Sequence, residues 1–192
     1  MEEKFKNVLH DDEKILYVTK ASKGAIWNAL SILVLTVYSI FLIFGSTPFI
    51  LMASGEFAST TAGAIGLIVI ASLLLLFWIL YILMMLKYRK NYYIALTDTR
   101  IIERKGIINI NYTSYDIINV SGNITIEQKR TIFDRKNENA CSLYMKIELL
   151  PVGHNELNIY TAFVENGYEL SKIIEKQVKA NAKKANKKSI KE

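Results

Sequence analysis

Tyr92-Tyr93-Ile94-Ala95-Leu96-Thr97-Asp98-Thr99-Arg100-Ile101-Ile102-Glu103-Arg104-Lys105-Gly106 predicts two short strands joined by a tight turn. Both flanking runs are rich in the aromatic and branched residues that suit a pleated surface. Thr97-Asp98-Thr99, between them, carries short polar side chains that satisfy turn N–H groups, and Arg100 beyond it is placed to pair with a carboxylate. Lys105-Gly106 makes the next turn. Further short runs follow at similar spacing: Ile107 to Val120, Asn123 to Glu127, Thr131 to Phe133, Ser142 to Leu150 and Glu156 to Phe163. Such a series argues for an antiparallel barrel or sandwich.

A helix closes the series. Asn166 and Glu169 have the spacing of a capping box, and Leu170, Ile173, Ile174 and Val178 recur on one helical face. Past Lys179 the lysine-, alanine- and asparagine-rich chain has little to bury, which predicts a frayed tail.

Working upstream, two windows without any charged residue stand out, 32 residues between Lys23 and Glu56 and 30 between Glu56 and Lys87. At ~1.5 Å per residue, about 20 apolar residues cross ~30 Å of hydrocarbon. The windows therefore predict two transmembrane helices, about 25–45 and 62–86, with a weak point at Gly45-Ser46-Thr47-Pro48. Phe49 to Met52 suits either the end of the first span or the outer interface. The small pair Ala62 and Gly66 offers a close helix approach. The charged lead-in to Lys23 and the length of the first run do not fit a signal peptide. Lys20 and Lys23 before the pair, and Lys87, Arg89 and Lys90 after it, predict cytoplasmic termini by the positive-inside rule. Ile15 to Val18 reads as a lone strand ahead of them.

The Tyr93 to Ile102 stretch with Lys105-Gly106-Ile107 resembles the "Y-x-x-T-D-x-R" opening of the bacterial pleckstrin-homology (PH) domain family. Tyr115 to Val120 is similar to that family's next strand, and Leu9 to Leu16 to the segment such proteins place before a two-helix anchor. The resemblance implies a PH-like β-barrel tethered to a membrane and used for binding or scaffolding. The expected architecture is an α+β membrane protein. A cytoplasmic segment (1–23) precedes a transmembrane helical hairpin (24–88). A PH-like antiparallel β-barrel capped by a C-terminal amphipathic helix (89–180) and a lysine-rich tail (181–192) follow. The expected location is the cell membrane, crossed twice. PH domains that bind phosphoinositides gather Lys and Arg around the loop joining their first two strands. With Thr97-Asp98-Thr99 taken as that loop, only Arg100 is basic there, which argues against inositol phosphates.

The net charge of +6 resides in the tail: eight lysines follow residue 171 against Glu175 and Glu192, and the rest of the chain is balanced. Lys87, Arg89, Lys90, Lys183, Lys184, Lys187 and Lys188 are the candidate contacts to anionic head groups, with a merely solvated tail as the alternative. The expected partners are the lipid bilayer and an unspecified protein, with a homo-oligomer left open and no nucleic acid, because the tail lacks interleaved aromatics or arginines. No catalytic, metal or cofactor pattern emerges. His10 and His154 stand apart, the single Cys141 has no histidine near it in sequence, and no phosphate-binding glycine loop occurs. The competing function is an accessory subunit of a channel, transporter or secretion assembly that works through its helices.

Overall fold

The alternation of apolar and polar residues builds seven strands in the computed structural model, which describes residues 1–22, 35–40, 61–129, 140–150 and 155–189. Strands β1 (Ile15–Lys20), β2 (Tyr93–Thr97), β3 (Arg100–Lys105) and β4 (Asn111–Asp116) form one sheet in that order. Strands β5 (Val120–Lys129), β6 (Ser142–Leu149) and β7 (Glu156–Tyr160) form a second. All neighbours are antiparallel. Two long helices accompany them, α1 (Thr61–Asn91) and α2 (Gly167–Ser189). The chain divides into two compact units, Met1–Ile26 with Lys87–Glu192, and Trp27–Leu86.

In the first unit, both sheets line one core. Ile94, Leu96 and Ile101 meet Leu143, Met145, Ile147 and Ile159, and α2 adds Leu170, Ile174 and Val178. On β6 the period of two puts Leu143, Met145 and Ile147 inside, with Lys146 exposed on the opposite face. The first sheet is covered on its other face as well. Phe5, fully buried in the N-terminal segment, packs on Tyr93, Ala95 and Ile102, with Leu9, Ile15 and Val18 around it. This double cover explains why every residue of β2 is buried. Gly106 turns the chain from β3 towards β4 at φ +145°, where a Cβ would lie 1.8 Å from the Asn109 carbonyl oxygen, so only glycine fits.

The sequence expectation is corrected in several places. The sheets do not close into a barrel: among the described residues, no ladder joins β4 to β5 or β1 to β7. The chain turns at Ile117–Asn119, and α2 covers the opening, its Asn181 Nδ2 donating to the Ile117 carbonyl at 2.7 Å. Tyr115 to Val120 therefore spans the end of β4, the connecting turn and the first residue of β5, and is not one strand. α2 does not fray after Lys179 but continues to Ser189. Lysine and alanine are good helix formers, and Asn181 and Ala182 still find buried positions.

The two-helix transmembrane hairpin and the multi-pass placement in the cell membrane are also corrected. Among the described residues no helix is long and apolar enough to cross a membrane. Of the first window, only Leu35–Ile40 is described; it is helical, and Tyr38 stacks on Phe77 with ring centroids 4.0 Å apart. Gly45 to Pro48, Phe49 to Met52 and Glu56 lie outside the described residues, as do the side chains of Ala62 and Gly66.

Candidate functional site

The Thr97-Asp98-Thr99 turn is the centre of a buried ionic cluster. Glu13 Oε1 accepts hydrogen bonds from Thr97 Oγ1 at 2.6 Å, Thr99 Oγ1 at 3.0 Å and Arg100 Nε at 2.8 Å. Its Oε2 accepts from Arg100 Nη2 at 2.8 Å and from the His10 N–H at 3.1 Å. Arg100 Nη2 also donates to the Val8 carbonyl at 2.6 Å. Only 2% of the Glu13 side chain is exposed. Burial by itself would raise the Glu13 pKa, but Arg100, Thr97, the His10 N–H and Thr99 together hold it at about 2. Asp98 accepts from the Lys14 N–H at 3.2 Å. The Thr-Asp-x-Arg motif thus clamps the N-terminal segment to the β2–β3 turn. Its polar capacity is spent internally, which is a structural role.

A second cluster joins the two sheets at the other end of β2. Tyr92 Oη donates to Glu103 Oε1 at 2.7 Å and accepts from the Ala162 N–H at 2.9 Å, while Lys105 Nζ donates to Glu103 Oε2 at 2.7 Å. Burial and the Glu103 carboxylate push the Tyr92 phenol well above its ordinary pKa. Tyr92→Phe removes both bonds and leaves the Ala162 N–H without its acceptor. The expected loss is about 1–3 kcal/mol, read as a lower midpoint in urea with unchanged slope. An unshifted midpoint would show that this latch contributes nothing.

The exposed chemistry lies elsewhere. Lys87 and Lys90 are exposed and Arg89 is half-buried on the last turn of α1. Arg104 Nη1 donates to the Asn91 carbonyl at 2.9 Å, and Asn91 Nδ2 donates to the Gly106 carbonyl at 3.1 Å. A cation at a helix C-terminus is favoured by the helix dipole, so this end is fixed to the sheet. Lys183, Lys184 and Lys187 are exposed on the last turns of α2; the Lys188 side chain lies outside the described residues.

The structure separates these two sets. Glu165, just before α2, donates from its N–H to the Lys20 carbonyl at 2.9 Å, and Ala21 does likewise to Tyr92 at 3.2 Å, so α2 starts at the Tyr92 end of the first sheet. It finishes at the other end, where Gln177 and Asn181 donate to the Asp98 carbonyl at 2.9 and 3.2 Å. From Tyr92 to Asp98, extended chain covers about 20 Å. The α1 cations and the terminal α2 lysines therefore sit at opposite ends of β2. Sequence alone did not separate them, because the direction of α2 is set by contacts with residues far away in the chain.

Of the remaining sequence candidates, Cys141 is buried, and His10 serves through its backbone. His154 lies outside the described residues. Among the described residues no three His, Cys, Asp or Glu gather as a metal site. The chain matches no protein-family profile, no curated protein and no solved structure.

Proposed function

We propose that this chain is a non-catalytic binding module of PH-like build, which meets an anionic lipid surface through Lys87, Arg89 and Lys90. The strand order of four plus three, followed by one amphipathic helix, supports the PH-like reading. The placement of the first connection supports it further. Because Ile15–Lys20 is β1, the link between the first two strands is the segment 21–92 and not Thr97-Asp98-Thr99. Lys87, Arg89 and Lys90 lie at the end of that link. This is the connection where phosphoinositide-binding PH domains collect their cations, so the lack of basic residues at Thr97-Asp98-Thr99 does not count against inositol phosphates.

One observation carries the reading. In the chain, the three cations directly follow an exposed apolar run of the second unit that includes Leu80, Ile82, Leu83 and Leu86. An exposed apolar patch of this kind marks an interaction site. Cations that follow such a run in sequence suit a surface that is anionic outside and apolar beneath. The test is co-sedimentation of the full chain with phosphatidylserine or phosphatidylcholine vesicles. A K87Q/R89Q/K90Q variant is expected to lose up to about 100-fold in affinity for the anionic vesicles, at ~1 kcal/mol per cation. Equal binding by the variant, or no preference for phosphatidylserine, would sink the reading.

A further inference from the structure

The eight lysines of the C-terminal region are arranged rather than merely abundant. Lys172, Lys176, Lys179, Lys183 and Lys187 follow one another at intervals of four, three, four and four residues along α2. At 3.6 residues per turn, this places the five within an arc of about 80° and along about 22 Å of helix. All five are exposed. The arc lies roughly opposite the stripe of Leu170, Ile174 and Val178 that packs into the core, so the docked helix holds the row outward and straight. Two exposed carboxylates flank it: Glu175 accepts from Lys179 Nζ at 2.5 Å, and Glu169, one turn before Lys172, accepts from Tyr17 Oη at 3.0 Å, so the other four lysines of the row form no ion pair among the described residues.

We propose that this lysine row is a docking surface for an acidic segment of a partner protein, with glutamates at matching helical spacing. Charge complementarity identifies the partner. A row one residue wide, repeating every third and fourth position, fits a second helix that carries carboxylates with the same repeat. A nucleic acid is disfavoured, since the row contains no arginine for base edges and Tyr168, at its start, is already covered by Lys172 Nζ at 4.3 Å. A lipid surface at the α1 cations is disfavoured for most of the row, because α2 starts at their end of β2 and carries Lys183 and Lys187 past Asp98 at the other. Exposed ion pairs are individually weak, so the binding is salt-sensitive and reversible.

The experiment uses the full chain, held in non-ionic detergent because of its exposed leucines. The probe is a labelled synthetic helical peptide with glutamates at alternating three- and four-residue intervals. Saturable binding is expected, weakening about tenfold or more between ~0.05 and ~0.2 M salt. Replacing the five lysines by glutamine is expected to abolish it with the circular dichroism unchanged, and replacing them by arginine to retain it. Phosphatidylserine vesicles and single-stranded oligo-dT serve as competing ligands. Absence of peptide binding, equal binding by the glutamine variant, or a stronger dependence of vesicle or DNA binding on these five lysines would each overturn the proposal. The K87Q/R89Q/K90Q variant keeps the peptide response, which separates this surface from the one at the end of α1.

Discussion

Replacing Glu13 by glutamine is expected to cost about 3–5 kcal/mol of stability, because the Arg100 guanidinium then stays buried without its counter-ion. Only 10% of the Arg100 side chain is exposed, and its remaining described acceptor is the Val8 carbonyl. Arg100→Ala acts from the opposite side, leaving the buried Glu13 carboxylate with Thr97, Thr99 and the His10 N–H but without its cation. The double variant E13Q/R100M is expected to lose less than the two single losses combined, since both remove one interaction. The pH profile supplies an independent check. Glu13 titrates at about 2 in the folded chain, below its ordinary 4.5. Its contribution is therefore complete above pH 4.5 and drains away as pH falls from there towards 2. A displacement of that size corresponds to about 3 kcal/mol. Urea melts of the parent chain between neutral pH and the acid limb should show this loss, and E13Q should flatten it. A loss below about 1 kcal/mol, or an unaltered acid limb, would show that the clamp is incidental.

Phe5→Ala is expected to destabilise the first unit by about 3–5 kcal/mol, combining lost apolar burial with a cavity over β2 and β3. Phe5 is fully buried, packs against Tyr93, Ala95 and Ile102, and sits edge-on to Tyr112 at 6.2 Å. Phe5→Leu keeps most of the volume and should recover a large part of the loss. The measurement is the urea midpoint of each variant. If Phe5→Ala melted like the parent chain, the N-terminal segment would be an ornament on the sheet rather than its second cover.

These two positions also show where sequence reading ended. Phe5 is a single aromatic among Glu2, Glu3, Lys4 and Lys6, and one residue has no period. Its burial follows from the sheet it happens to reach. The Glu13–Arg100 pair joins positions 87 residues apart. Local pattern supplied the turn at Thr97-Asp98-Thr99 and the need of Arg100 for a carboxylate, but not which carboxylate. By contrast, β2, β3 and the apolar stripe of α2 were legible, because each is a local period meeting one buried surface. Glu169 shows a local rule losing to a tertiary contact: it has capping-box spacing, yet it accepts a hydrogen bond from Tyr17 Oη at 3.0 Å. The lysine row was visible as composition alone. Its order requires a helix that persists to Ser189, whereas the apolar periodicity ends near Lys179.

The insertion between β1 and β2 has a consequence for how the chain finds its fold. Strands β2, β3 and β4 are joined by short turns, whereas β1 must pair with β2 across about seventy intervening residues. Closing a loop that long costs entropy, but each doubling of its length adds only ~0.6 kcal/mol, so the insertion is cheap at equilibrium. Its weight falls on the order of events. By contact order the three-stranded meander is expected to assemble first from local contacts, with the N-terminal strand arriving across the insertion and bringing Phe5 and Glu13 with it. During synthesis this earliest strand must wait, unpaired, until the ribosome has released the whole insertion and the strand that receives it.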